Sequence, residues 1–260
     1  MFDTHRPVTG IGGGFIGLEV AARLRGRGIE VTIFDPLTLP HEYVLGRDLA
    51  TWLLDLHRAR GVSFELGSGV SAIDEVTDGY LITTANGKSH KAASLLAGVG
   101  TEPNTEWLIG SGIQLAGGVV TDAAGRTNIP DVWAAGDVAT ELDAGTGRCH
   151  RFEHWTHAIE QGRHVGLNIA RGGAVPFEGL PYVWTEHYDR TLHLFGARHP
   201  GDEDTVAAGS LASGEFVVVH GSAGKLHAVT ISGFTTAIRT YKKLLKAGAG
   251  LTEALAAAQP

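Results

Sequence analysis

The sequence predicts an α/β protein with a Rossmann-like first domain, a middle segment ending in a long helix, and an α+β C-terminal domain. Three observations predict it. A glycine-rich stretch, GIGGGFIG from Gly10, follows a short apolar run and opens an amphipathic helix. Strand and helix patterns then alternate as far as Leu66, and beyond Pro181 the pattern changes to closely spaced strands closed by a helix. The expected domains are residues 1–103, 104–180 and 181–260.

Taken in order, Val8 to Ile11 reads as a strand and Phe15 to Arg27 as a helix, with Ile16, Val20, Ala21 and Leu24 on one face and Gly28 as its stop. Glu30 to Phe34 is a second strand, which completes a βαβ unit. Leu49 to Arg60 is a helix with Leu49, Trp52, Leu53 and Leu56 turned inward, and Val62 to Leu66 is the third strand. From Val70 to His90 the residues alternate around Asp78-Gly79 and Asn86-Gly87, the pattern of an antiparallel meander. Ser94 to Val99 returns to a buried strand. Short strands are expected at Gly118–Thr121 and Asp131–Ala134, then a long helix from Phe152 to Ala170. The last domain reads as strands Val183–Tyr188, Thr191–Phe195, Glu215–His220 and Leu226–Ser232, followed by helices at Thr235–Lys246 and Leu251–Ala258.

Composition narrows the function. A net charge of −7 argues against a general nucleic-acid binder, which needs a basic footprint for phosphates. No apolar run approaches the ~20 residues of a membrane helix, and MFDTHRP has no signal-peptide character, so a cytoplasmic protein is expected. Cys149 is the only cysteine, so redox chemistry would come from a bound cofactor and not from a C-x-x-C pair.

Gly12-x-Gly14-x-x-Gly17 lies between a predicted strand and a predicted helix, the setting in which this pattern binds a dinucleotide. Gly12 permits the tight turn, Gly14 lets the backbone approach a pyrophosphate, and Gly17 lets the helix pack on the strand. Asp35, at the end of the second strand, is placed to accept ribose hydroxyls. Pro36, Leu37 and Thr38 supply no cation for a 2′-phosphate, so NADH is favoured over NADPH. Glu19 falls in the first helical turn, where the helix dipole favours its ionised form; from its position alone it is a solvated first-turn residue.

Five stretches in order resemble the NADH-dependent ferredoxin and rubredoxin reductases of bacterial oxygenase systems, the putidaredoxin reductase-like group of the FAD-dependent pyridine nucleotide-disulfide oxidoreductases. They are GGGFIGLEVAARL from Gly12, GVGTEPNTEWL from Gly98, TNIPDVWAAGDVA from Thr127, RFEHWTHAIEQG from Arg151 and PYVWTEHYD from Pro181. The resemblance implies that residues 104–180 are the C-terminal part of an FAD-binding domain and 181–260 the reductase C-terminal domain. It assigns Phe15 and Ile16, with the three glycines, to the NADH loop, and Gly100 to the segment that crosses between domains. It implies that Asp137 holds a hydroxyl of the FAD ribityl chain, that Trp155 lies beside the flavin, and that Trp184 lies near the flavin edge where the redox partner docks. Glu19 becomes the catalytic candidate, facing the nicotinamide. Hydride would pass from NADH to FAD and single electrons onward to a small iron–sulfur ferredoxin or a rubredoxin.

The residues leave other readings open. Asp137, taken as buried after Ala134, Ala135 and Gly136, is otherwise a turn residue and helix cap, and the two tryptophans are otherwise core anchors. The family's first Gly-rich loop, which binds the ADP half of FAD, has no counterpart here, and Gly10 interrupts the usual apolar first strand. The expectation is a truncated reductase that holds FAD weakly by itself. It is either completed by a chain supplying the missing FAD-binding segment or is a non-catalytic NAD-binding remnant. A metal site is not expected, although Glu153, His150, His154 and His157 fall close together. Lys242, Lys243 and Lys246 give the last long helix a basic face, read as solvated. No Tyr-x-x-x-Lys supports a short-chain dehydrogenase.

Overall fold

The structure, a computed structural model, describes residues 6–142, 147 and 149–258. It divides into two compact units, one comprising residues 1–100 with 184–260 and the other residues 101–183. The expected first and third domains thus share one unit.

The first unit opens with strand β1 (Val8–Ile11), helix α1 (Phe15–Arg25) and strand β2 (Val31–Asp35). Helices α2 (Glu42–Leu45) and α3 (Arg47–Ala59) lead to β3 (Val62–Leu66). The antiparallel meander is β4 (Val70–Val76), β5 (Gly79–Thr84) and β6 (Ser89–Ala92), and the chain re-enters the main sheet at β7 (Ser94–Ala97). That sheet is parallel, in the order β3-β2-β1-β7. Parallel strands are covered on their faces by crossover helices, and α3 shows how. Leu49, Ala50, Leu53, Leu54 and His57 recur at helical spacing and are buried, while Trp52 stands edge-on against Phe216 at 5.0 Å. Gly10, in mid-strand, makes room for a neighbour: a side chain there would press on Ile33 Cδ1 at 2.5 Å. The short helix α2 carries no strong apolar period and was not foreseen.

The C-terminal part of the same unit is a five-stranded antiparallel sheet ordered β11-β12-β15-β14-β13. In the chain it follows the second unit's elements, which are β8 (Val119–Thr121), β9 (Ala139–Leu142), β10 (Cys149–His150) and helix α4 (Trp155–Arg171). The sheet comprises β11 (Tyr182–His187), β12 (Arg190–Gly196), β13 (Glu203–Ser210), β14 (Glu215–Ser222) and β15 (Lys225–Ser232), followed by α5 (Ile238–Lys246) and α6 (Leu251–Ala256). Strand β13 was missed because its acids, alanines and glycine lack apolar alternation. It is an edge strand, anchored by Asp204, which takes Arg198 Nε and His220 Nδ1, each at 2.8 Å. Tyr241 is fully buried, and its hydroxyl donates to the Ala254 carbonyl at 3.0 Å, tying α5 to α6.

In the second unit β8 and β9 pair in parallel, and Gly172 ends α4 in the left-handed conformation (φ 61°). The expected strand at Asp131–Ala134 does not form. Asp131 has φ 62°, Val132 N–H donates to the Ile129 carbonyl, and the segment folds back on residues 125–127, with Thr127 N–H donating to the Val132 carbonyl and Ala134 N–H to the Gly125 carbonyl, too short and twisted a pairing to make a strand. Only a single bridge, Arg126 to Trp133, remains of it.

Substitution of Leu53, fully buried on α3, by alanine is expected to lower the unfolding free energy by about 2–5 kcal/mol, measured by urea denaturation.

Candidate nucleotide-binding site

The loop between β1 and α1 is fixed by contacts of different kinds at each glycine. Gly12 has φ 98°, and a side chain there would overlap the Gly98 carbonyl oxygen. One at Gly17 would overlap the carbonyl oxygen of Gly12. At Gly14 an added Cβ would meet nothing within 4 Å. The first and third glycines are therefore demanded by the protein's own packing, and the second by nothing inside the described chain. Gly14 is also the N-cap of α1 and has no side chain with which to cap the first-turn amides. Phe15 is half-buried and stacks on His41 at 4.1 Å, while Ile16 is exposed.

Asp35 is buried, and both its oxygens hold backbone. Oδ2 accepts from Gly13 N–H at 2.7 Å and Oδ1 from Leu37 N–H at 2.8 Å. The acid expected at a ribose is thus seen supporting the glycine loop from beneath. Gly98 continues the frame by donating its N–H to the Ile11 carbonyl at 2.8 Å, and Gly100, exposed with φ 94°, follows where the chain leaves this unit.

Glu19 lies in the second turn of α1, not the first, and is not the solvated residue its position alone suggests. Its Oε1 accepts from the Thr185 hydroxyl at 2.5 Å and from Glu186 N–H at 3.0 Å. Strand alternation explains the partner, since Thr185 and His187 share the buried face of β11 while Trp184 and Glu186 take the other. Trp184 therefore sits beside Glu19's partner in sequence but faces the opposite way, and is 39% exposed. Behind Thr185 lie His187 and His57, both fully buried, and the hydroxyl of Tyr188. Burial pushes His57 down to about 4, helped by the charges of Arg60 and His41. Burial likewise pushes His187 down to about 3, with His57 and His41 adding to it. His41, at the edge of the loop, is lowered to about 4 by burial against the opposing pull of the Gly13 backbone and Asp35. Sequence reasoning missed these histidines and Thr185; the only signals were the period-two placement of Thr185 and His187 and His57 falling four residues after Leu53 on the buried face of α3.

In the second unit Gly136 has φ 75°, and its N–H donates to Gln161 Oε1 of α4 at 2.8 Å. Asp137 is exposed, not buried as its small-residue flank suggests, because it lies in the 3₁₀ turn Gly136–Val138 before β9 begins. Trp155, the first residue of α4, is 71% exposed, so neither it nor Trp184 is a core anchor. Glu153 binds Arg151 and Thr101 rather than gathering with the histidines around it. Among the described residues the ligand atoms that do cluster belong to His199, Asp202 and His227, all within 4.8 Å of one another. On α5, Lys242 lies over the ring of Phe195 at 5.0 Å.

A parallel sheet with a glycine loop at a helix N-terminus, a buried acid bonded to the loop and an open second glycine is the arrangement of a Rossmann-like dinucleotide-binding domain. The family models agree: that of the pyridine nucleotide-disulphide oxidoreductases matches residues 3–162, and that of the reductase C-terminal domain matches residues 182–260. The chain belongs to the pyridine nucleotide-disulphide oxidoreductase family. It is 32% identical over 246 residues to the ferredoxin–NAD(+) reductase component of the anthranilate 1,2-dioxygenase system of Burkholderia cepacia, covering 94% of this chain and 60% of that protein. It is 31% identical over 214 residues to putidaredoxin reductase of Pseudomonas putida, covering 81% of this chain and 50% of that one. Among solved structures, the ferredoxin reductase for the CYP199A2 system of Rhodopseudomonas palustris superposes with a TM-score of 0.87 at 27% identity, over 95% of this chain and 61% of that one. The covalent putidaredoxin reductase–putidaredoxin complex gives 0.87 at 28% identity, over 96% and 60%. The chain thus spans about half to three fifths of the length of these relatives.

The buried histidines make stability depend on pH in a stated direction. Unfolded, each takes up a proton near 6.5; folded, not until about 4 for His57 and about 3 for His187. Their contribution is complete above pH 6.5 and is lost as pH falls through the window below it, by a few kcal/mol at pH 4. Urea unfolding at pH 7, 5.5 and 4.5 should show a falling midpoint.

Proposed function

We propose that this chain carries the NADH-binding part, and one side of the flavin site, of a reductase that passes electrons from NADH through FAD to a small iron–sulfur ferredoxin or a rubredoxin. The observation that carries the reading is the contrast between Gly12 and Gly17, closed by backbone, and Gly14, open at the uncapped end of α1. That opening suits a pyrophosphate, which the amides of the helix terminus would hold. Asp35 would keep the loop in shape through Gly13 and offer its remaining lone pairs to the adenosine ribose. Glu19 would face the nicotinamide with the carboxylate oxygen that Thr185 and Glu186 leave free.

For FAD, the cofactor the family implies, the residues present would fit: an exposed acid at Asp137, next to Gly136, and an exposed aromatic on Trp155. When bound, flavin supplies hydride acceptance from NADH and release of electrons one at a time. Asp137 would accept a hydroxyl of the ribityl chain, Trp155 would shield the ring from water on one side, and Trp184 would present an aromatic edge to the acceptor protein.

A second reading is favoured by a specific feature of the second unit. Helix α4 exposes the large apolar side chains of Trp155, Ile159, Leu167 and Ile169, the last 54% exposed. In this reading further polypeptide supplies the ADP-binding side of the flavin site and covers that helix. The remaining alternative is a protein that binds NADH without catalysis.

Gly14→Val is expected to weaken NADH binding at least tenfold in a fluorescence titration with little change in melting temperature, since nothing in the chain crowds that position. Unchanged binding would remove the pyrophosphate from this loop. Titration of the purified chain with FAD, followed by dye reduction with NADH, separates the readings: turnover supports the reductase, and NADH binding without flavin uptake leaves the non-catalytic protein.

A further inference from the structure

Glu19, Thr185, His187, His57 and Tyr188 form a continuous chain of hydrogen bonds within the first unit. The steps are Thr185 Oγ1 to Glu19 Oε1 at 2.5 Å, Thr185 Oγ1 to His187 Nε2 at 3.1 Å, His187 Nδ1 to His57 Nε2 at 3.2 Å, and His57 Nδ1 to the Tyr188 hydroxyl at 3.0 Å. Donor counting fixes every proton. An ionised carboxylate only accepts, so the Thr185 hydroxyl gives its one hydrogen to Glu19. Its oxygen must then accept from His187, which puts that ring's N–H on Nε2 and leaves Nδ1 as an acceptor. His57 supplies the next hydrogen from Nε2, and its own Nδ1 accepts from Tyr188. A single assignment, with both rings neutral in the Nε2–H form, satisfies all four bonds, and every donor points toward Glu19.

The chain joins elements far apart in sequence. Glu19 is on α1, His57 on α3, and Thr185 and His187 on β11, with Tyr188 in the turn after it. Charged groups stand around it without breaking it. Arg60 lies over the Tyr188 ring at 4.4 Å and pairs with Asp189, while Arg23 pairs with Glu186 on the outer face of β11. His41 and Arg25 act on it through their charge.

We propose that this relay is a positioning device for the nucleotide site. It draws Glu19 Oε1 onto β11 and so aims Oε2 at a hydrogen-bond donor of the bound dinucleotide. Thr185, His187 and His57 are positioning residues that act through Glu19 without touching the ligand. A bond from a neutral hydroxyl to a charged oxygen inside the protein is stronger than one at the surface, and each donor behind it holds the next ring in one tautomer. The proposal rests on the reading that NADH binds at the head of α1.

The test compares Thr185→Val, Thr185→Ser and Glu19→Gln with the unaltered chain, using NADH fluorescence titration at pH 7 and nitrogen-15 NMR of the imidazoles. The expected result is two neutral Nε2–H rings in the unaltered chain. NADH binding should be weakened about tenfold in Thr185→Val and restored in Thr185→Ser, as a lost hydroxyl rather than lost packing requires. If Thr185→Val does not fold, Tyr188→Phe serves instead, because its ring can remain beneath Arg60: the His57 signals should shift and NADH binding should weaken about threefold. Rings found charged or in the Nδ1–H form would overturn the relay. So would a folded Thr185→Val that binds NADH as the unaltered chain does while Glu19→Gln is impaired. An unaltered chain that binds no NADH overturns the nucleotide reading itself, and this inference with it.

Discussion

The hydrogen bond from Gly13 N–H to the buried Asp35 carboxylate, 2.7 Å long, is the contact on which the glycine loop depends. It ties the turn after β1 to the end of β2, so two adjacent parallel strands finish at a common level. With Leu37 N–H on the other oxygen, the carboxylate is held from both sides and cannot swing away from the loop. Gly12 can then lie against the Gly98 carbonyl and Gly17 against Gly12, which sets α1 close to the sheet and leaves the position at Gly14 open. An acid at the end of β2 thus has a structural duty that is complete before any ligand arrives.

The same unit uses its C-terminal sheet as a second support for α1. Strand β11 brings a hydroxyl and a backbone amide to Glu19, and Arg23, one turn further along, pairs with Glu186. At the far side Trp52 packs edge-on against Phe216, and Gly46, at the head of α3, lies so close to Asp204 that a side chain would collide with the carboxylate. These contacts explain why residues 184–260 belong with residues 1–100 as one unit although more than eighty residues separate them in the chain.

The second unit obeys a different constraint. Its sheet has three short strands, its long helix carries large apolar side chains in solvent, and its most chemically distinctive carboxylate, Asp137, is exposed in a turn. In the relatives this part of the chain is one portion of a longer protein, of which the present chain spans about half to three fifths.

The sequence by itself determined the parallel sheet, the meander and most of the C-terminal strands, because period, glycine turns and strand-to-helix alternation are local properties of the chain. Strands β1 and β3 fall on the residues their patterns mark, and the Asp78-Gly79 turn is where the meander reverses. It also marked Gly12, Gly14 and Gly17 as a set, since the spacing of a phosphate loop is written in consecutive residues. It could not distinguish them; only the backbone passing behind the loop, from Gly98, separates the glycines the fold needs from the one it leaves open. The tertiary structure likewise decided that β13 is a strand at the sheet's edge and that Glu19 is held by Thr185, 166 residues away. Both depend on hydrogen-bond partners supplied from elsewhere in the fold, and no window of adjacent residues carries that information.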